Sequence, residues 1–158
     1  MNKMQKTISK SISISGLGIH TGASTKIKLK PADVNTGIRF IRIDLKGNPE
    51  IKADISNVFS TARSTSLRQE NAEIHTVEHI LAAITGSRID NIIIETNNIE
   101  IPILDGSAKI YSKLIDEAGI VTQNAKKDYF KITKKISFLD EETGSSIVAV
   151  PSDKYKVN

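Results

Sequence analysis

Polar and hydrophobic residues alternate in two early segments of the chain, as they do in strands that bury one face. Residues 7–15 alternate isoleucine with serine, and residues 25–30 place Ile27 and Leu29 between polar side chains. A glycine-rich segment, residues 16–22, separates the two runs. This pattern predicts a hairpin with a glycine-rich connection. Shorter hydrophobic runs predict further strands at residues 38–43, 65–67 and 91–96.

Two other segments have hydrophobic residues at helical spacing. The first predicts an amphipathic helix from His75 to Gly86, with a buried stripe formed by Val77, Ile80, Leu81 and Ile84. The second predicts a helix that stops at Gly119, with a stripe formed by Tyr111, Leu114, Ile115 and Ala118. Side chains suited to capping its N-terminus lie in Asp105-Gly106-Ser107.

The end of the chain differs from the rest. Residues 123–128 are polar and are interpreted as a linker, whereas residues 129–133 and 146–150 have the composition of strands. No helix is predicted after them, and two uncovered strands are marginally stable alone. We therefore expect an α+β domain at residues 1–125, then a linker and the incomplete start of a second domain at residues 126–158. On this interpretation the chain is an N-terminal fragment.

Composition excludes several classes of function. The 158-residue chain has no cysteine, which excludes disulfides and thiolate metal sites. Its N-terminus lacks the apolar core of a signal peptide, and no apolar run approaches the roughly 20 residues of a transmembrane segment. We expect a soluble, cytoplasmic protein. The net charge of +4 is dispersed and aromatic residues are few, so a nucleic acid is not an expected partner, whereas an anionic small molecule is compatible.

The segment His75-Thr76-Val77-Glu78-His79 carries the clearest chemistry. It matches the H-x-x-E-H pattern of zinc peptidases, in which both histidines bind zinc and the glutamate is a general base. A hydrogen-bonded or solvated His–Glu pair on a helix face gives the same pattern, and both interpretations stay open. His20 lies among the glycines of the predicted hairpin connection, and Asp140-Glu141-Glu142 is interpreted as a solvated turn.

Four segments in order resemble the zinc-dependent UDP-3-O-acyl-N-acetylglucosamine deacetylases of lipid A biosynthesis, the LpxC family. They are Ser15-Gly16-Leu17-Gly18-Ile19-His20-Thr21-Gly22, Thr76-Val77-Glu78-His79, Gly86-x-x-Ile89-Asp90-Asn91 and Glu100-Ile101-Pro102-Ile103-Leu104-Asp105-Gly106-Ser107-Ala108. The resemblance runs from about Gln5 to the end of the chain. Four ordered segments are more specific than any one of them.

The resemblance implies two similar α+β domains, each a sheet with a pair of helices on one face, stacked as a sandwich with the active site between them. It implies that Glu78 is the general base and His79 a zinc ligand, while His75 is not a ligand. It places His20, Ser64 and Thr65 at the cleft for UDP-3-O-acyl-N-acetylglucosamine. The remaining zinc ligands of the family belong to the second domain, so the fragment alone is expected to be inactive.

Two rival functions remain. A zinc metallopeptidase-like site would use His75 and His79 together. A non-catalytic module would instead use the helix face to dock a partner. The deacetylase interpretation differs from both, because it makes Glu78 catalytic and removes His75 from the metal site.

Overall fold

The computed structural model describes residues 3–157 of the chain. It divides into two compact units, Met1–Lys127 and Asp128–Asn158, which are described separately. The first unit contains the strands β1 (Met4–Ile8), β2 (Ile12–Leu17), β3 (Ser24–Pro31), β4 (Ile38–Arg42), β5 (Glu50–Lys52), β6 (Val58–Ser60), β7 (Ser66–Gln69), β8 (Ala72–Ile74), β9 (Ile92–Thr96) and β10 (Ile120–Lys126). Its helices are α1 (Glu78–Gly86) and α2 (Lys109–Ala118), and a 3₁₀ turn covers Ile55–Asn57. The second unit contains β11 (Ile136–Leu139) and β12 (Ser146–Ala149).

The main sheet of the first unit has the strand order β2-β3-β9-β4-β5. Its neighbours are antiparallel except for β4 and β9, which run parallel. The predicted hairpin is confirmed, because β2 pairs with β3 from Ile12 opposite Leu29 to Leu17 opposite Ser24. Residues 7–15 do not form one strand, however. β1 ends at Ile8 and pairs with β10 instead.

One hydrophobic core joins the main sheet to both helices. Alternate residues of β3 and β9 point into this core. In β3, Ile27 and Leu29 are buried, whereas Lys26 and Lys28 are exposed. Helix α2 buries Tyr111, Leu114, Ile115 and Ala118, the four residues that its spacing predicted. Helix α1 buries Ile80, Ala83 and Ile84. The unit is therefore an α+β domain with a pair of helices packed on one face of its sheet.

Helix α1 begins at Glu78, so the predicted start at His75 is wrong. The His75 backbone extends the edge of β8: its N–H donates to the Ile99 carbonyl at 2.8 Å, and its carbonyl accepts from the Ile101 N–H at 3.1 Å. Thr76 then adopts a φ of 59°, in the left-handed region, so it cannot belong to a right-handed helix. His75 and His79 consequently do not share a helical turn.

The predicted linker at residues 123–128 is wrong over residues 123–126, which belong to β10. Pairing with β1 and a network of side-chain amides account for the difference. The Asn91 side chain donates to the side-chain oxygens (Oε1) of both Gln5 and Gln123, and the Gln123 side-chain amide donates to the Ala32 backbone carbonyl. These polar residues are therefore ordered by contacts within the first unit.

The second unit is a β-hairpin. β11 pairs with β12 from Ile136 opposite Ala149 to Leu139 opposite Ser146, which confirms a strand close to the predicted residues 146–150. The strand predicted at residues 129–133 is wrong, because that segment has no regular structure and Tyr129 and Phe130 are exposed. Asp140 forms the predicted solvated turn by accepting hydrogen bonds from Glu142 and Thr143. The assignment of residues 126–158 to a second domain stays a prediction.

Candidate active site

Glu78 is the first residue of α1, and a neighbouring segment holds its carboxylate. The backbone N–H of Thr65 donates to Glu78 Oε2 at 2.9 Å, and the carbonyl of Thr65 accepts from the Val77 N–H at 3.2 Å. A carboxylate in the first helical turn is also stabilised by the helix dipole. The Glu78 side chain is partly buried, so it is oriented by the protein and still reachable.

His79 follows Glu78 in the same turn and is also partly buried. Within residues 3–157, its imidazole nitrogens make no hydrogen bond to protein atoms. An imidazole with both nitrogens available can act as a metal ligand or accept a proton. Both ring nitrogens of His79 are therefore available to a metal ion, whereas His75 Nε2 lies 3.2 Å from Glu73 Oε2 and only its Nδ1 is available.

A fully buried carboxylate, Glu100, joins the glycine-rich connection to the segment before α1. Its Oε1 accepts from the His20 N–H at 3.0 Å and from the Thr76 hydroxyl at 3.1 Å. Its Oε2 accepts from the Thr21 N–H at 2.8 Å and the Thr21 hydroxyl at 2.6 Å. Burial on its own raises the pKa of Glu100, but these hydrogen bonds outweigh it and lower the pKa from the usual 4.5 to about 2.

Gly18 allows the loop to approach this carboxylate. A Cβ atom at Gly18 would overlap Glu100 Oε2 and the Thr21 hydroxyl. The role of this glycine is thus close approach to a side chain, and the left-handed conformation in the loop belongs to Gly22, which has a φ of 65°.

A cleft of about 270 Å³ lies beside these elements. It is lined by His20, Phe59, Ser60, Ala62, Arg63, Ser64, Ser66 and His75. One wall is a stack of side chains in which the Arg68 guanidinium lies 4.0 Å from the centre of the Phe59 ring, and the Phe59 ring meets His75 edge-on. Both His75 and Arg68 form hydrogen bonds with the Glu73 carboxylate. These bonds, the one with His75 above all, lower the pKa of Glu73 below its usual range.

The structure thus brings two of the predicted cleft residues, His20 and Ser64, to one cleft. Thr65 is not among the lining residues and contacts Glu78 through its backbone. Glu78 and His79 do not line this cleft either. His75, which the peptidase hypothesis paired with His79, lies in the cleft wall.

Comparison with known proteins decides the family. The model of the LpxC family, described as UDP-3-O-acyl N-acetylglycosamine deacetylase, matches residues 5–158. The chain belongs to this deacetylase family. The resemblance seen in the four sequence segments is thereby confirmed for nearly the whole chain.

Curated members of the deacetylase family match at 40% identity or more. A bifunctional enzyme LpxC/FabZ of Bacteroides thetaiotaomicron is 44% identical over 98% of this chain and 33% of its own length. UDP-3-O-acyl-N-acetylglucosamine deacetylases of Brucella melitensis and Chlamydia caviae are 43% and 40% identical, over 86% and 100% of this chain. The chain spans 48% and 55% of those two relatives. It therefore corresponds to between a third and just over half of each of these proteins.

Sequence reasoning missed the part that Glu100 plays in this family member. In the sequence, Glu100 was noted only as the first residue of the fourth segment that resembles the family, and no role was predicted for it. A signal was present, since it is the one charged residue in the apolar run Ile99-Glu100-Ile101-Pro102-Ile103-Leu104. A carboxylate at such a position is buried only when hydrogen bonds satisfy it, and its partners could not be read from sequence because they come from distant segments.

Proposed function

We propose that the gene product containing this chain hydrolyses the acetamide of UDP-3-O-acyl-N-acetylglucosamine, releasing acetate, as a step in lipid A biosynthesis. Membership of the deacetylase family over residues 5–158 is the observation that carries this proposal. The substrate is the one for which the Brucella melitensis and Chlamydia caviae deacetylases are named, and this chain covers about half of each of them. The activity is therefore proposed for the whole gene product, and the 158-residue chain alone is expected to be inactive.

Glu78 is the residue of this chain that we assign to the chemistry. Hydrolysis of an amide forms a bond between water oxygen and the carbonyl carbon, breaks the C–N bond, and requires a proton to leave the water and another to reach the amine. A carboxylate held in a fixed orientation is suited to accept the first proton. The hydrogen bond from the Thr65 N–H supplies that orientation and leaves Oε1 of Glu78 available.

Zinc is the proposed cofactor, with His79 as one ligand. A catalytic zinc site takes three protein ligands. Within residues 3–157, no group of three His, Cys, Asp or Glu side chains is placed to hold a metal ion. The donors of this chain alone do not fit a complete site, so we propose that the other ligands come from residues outside these 158.

The peptidase alternative loses its geometric basis. Its two histidines were expected on one helical turn, but His75 extends β8 and contacts Glu73, whereas His79 lies in α1. A docking module remains distinguishable by experiment, since it requires neither Glu78 nor His79 for a chemical step.

The test is acetate release from UDP-3-O-acyl-N-acetylglucosamine by the full gene product. We expect Glu78→Gln to lower kcat by about 10²–10⁴-fold, the usual contribution of a general base. Glu95→Gln is a matched control, because Glu95 pairs with Lys30 on the sheet. His79→Gln is expected to cost far more activity than His75→Gln. Undiminished kcat in Glu78→Gln would overturn the assignment, and no acetate release by the wild type would overturn the function.

A further inference from the structure

Glu100 is a buried charge that hydrogen bonds alone compensate. Its exposed fraction is 0%, and none of the ion pairs among residues 3–157 involves it. Removing a carboxylate from water is costly unless its oxygens are satisfied. Both oxygens of Glu100 are satisfied, and every donor comes from a segment other than its own. Loss of any one of these hydrogen bonds would leave the buried carboxylate less well compensated and would raise the free energy of the fold. The carboxylate therefore holds its donors in place.

Glu100 Oε1 is the atom that connects two segments of the candidate site. It accepts from the His20 N–H, in the connection between β2 and β3, and from the Thr76 hydroxyl, just before α1. Glu100 also forms a parallel bridge with His75 through its backbone. The His20 loop and the start of α1 are therefore fixed to a single residue.

Thr76 is the strained element in this arrangement. Its φ of 59° lies in the left-handed region, where a β-branched residue is a true outlier, and the residue is 1% exposed. It stands between His75, which ends the extended backbone of β8, and Val77, which precedes α1. Such a conformation persists only when surrounding contacts hold it, and the hydroxyl bond to Glu100 is one such contact.

We propose that Glu100 is a positioning residue of the deacetylase site: it fixes the left-handed turn at Thr76 and thereby the position of the Glu78 carboxylate at the start of α1. Its functional meaning rests on the proposed function, whereas the structural coupling does not. The chain of contacts runs from Glu100 to the Thr76 hydroxyl, through Val77 to the Thr65 carbonyl, and from the Thr65 N–H to Glu78.

The Thr65 amide is a reporter for this coupling, because its proton is bonded to the Glu78 carboxylate. Residue-resolved hydrogen exchange can be measured on the 158-residue chain. We expect Glu100→Gln to accelerate exchange of the His20, Thr21 and Thr65 amides by about tenfold or more, since it places an amide donor against the donors of the site. Glu95→Gln should leave all three amides unchanged. If Glu100→Gln accelerates amide exchange at His20 and Thr21 but not at Thr65, Glu100 orders only the loop. That result would overturn the proposal.

A pair of substitutions at Thr76 keeps the proposal testable if Glu100→Gln does not fold. Thr76→Val keeps the shape of the side chain and removes the hydroxyl, whereas Thr76→Ser keeps the hydroxyl. We expect Thr65 exchange to accelerate in Thr76→Val and to stay within about threefold of wild type in Thr76→Ser. Equal exchange rates in the two variants would overturn the proposal, because the hydroxyl would then not be the link.

Activity of the full gene product supplies the second readout. Thr76→Val should lower kcat for acetate release by about tenfold while KM changes by less than about threefold, and Thr76→Ser should restore kcat. If the wild type releases no acetate, the proposed function fails and the exchange result still decides the coupling. If exchange at Thr65 is insensitive to both Glu100 and Thr76, the coupling fails whatever the activity.

Discussion

The backbone of Thr65 and the side chain of Glu78 are joined by a hydrogen bond of 2.9 Å, from the Thr65 N–H to Glu78 Oε2. The Thr65 carbonyl also contacts the start of α1, because it accepts a hydrogen bond from the Val77 N–H. A main-chain donor is more rigidly placed than a side chain and is retained in every substitution except one to proline. The segment preceding β7 is therefore part of what orients the proposed base.

This relationship predicts the effect of truncating Thr65. Thr65→Ala leaves the N–H in place, so we expect kcat for acetate release to stay within about threefold of wild type. The family resemblance places Thr65 at the border of the substrate cleft, and a contact of its side chain with substrate would appear in KM alone. Steady-state kinetics of the full gene product measure both, and a fall in kcat beyond about thirtyfold at unchanged KM would show that the side chain is needed for the chemical step.

Glu100 should make the stability of the chain depend on pH in acid. Its pKa is lowered to about 2 in the folded state from 4.5, so its contribution is fully present above pH 4.5 and is lost as pH falls toward 2. The shift corresponds to about 3 kcal/mol at neutral pH. Urea unfolding should give a stability difference between wild type and Glu100→Gln that shrinks from about pH 6 to about pH 3. A difference constant over that range would contradict the assignment.

The close approach of Gly18 to Glu100 gives a steric prediction. Gly18→Ala should destabilise the chain by about 1–3 kcal/mol, because the new Cβ overlaps the carboxylate and the Thr21 hydroxyl. Gly86→Ala is the matched control, since a Cβ at Gly86, the last residue of α1, meets no atom within 4 Å. Urea denaturation measures both variants, and equal stabilities would mean that the loop does not press on Glu100.

The amide network that orders β10 predicts a cost for removing Asn91. Asn91 is 1% exposed, donates to Gln5 and Gln123, and accepts from the Gly37 N–H at 2.9 Å. Asn91→Ala should lower the free energy of unfolding by about 2–3 kcal/mol, because one buried and two part-buried groups lose a partner. Asn97→Ala, at an exposed asparagine that accepts one backbone bond, should cost about 1 kcal/mol or less. Comparable losses in the two variants would argue against an ordered β10.

Local periodicity correctly predicted the helices and strands whose buried faces are set by residues close together in the sequence. The buried face of α2 follows directly from residues three and four apart, and β3 follows from alternation. β10 was not predicted because its residues are polar and its partners are distant: Gln123 bonds to Ala32, 91 residues away. The start of α1 was missed for a similar reason, since the left-handed Thr76 is bonded to Glu100, 24 residues away.

The candidate site was predictable only in part. Glu78 and His79 were proposed from a resemblance, and their adjacency at the start of α1 follows from the sequence once the helix is placed. His20 and Ser64 reach one cleft through the strand pairing of two different sheets, which no local pattern specifies. The roles of all of these residues stay predictions.

Zinc affinity of the 158-residue chain after chelator treatment tests the central claim most directly. The account assigns one ligand, His79, to this chain, so we predict weak or absent binding by the chain and tight one-to-one binding by the full gene product that His79→Ala weakens strongly. Tight one-to-one binding by the chain alone, lost in both His75→Ala and His79→Ala, would contradict the account and restore the peptidase-like site.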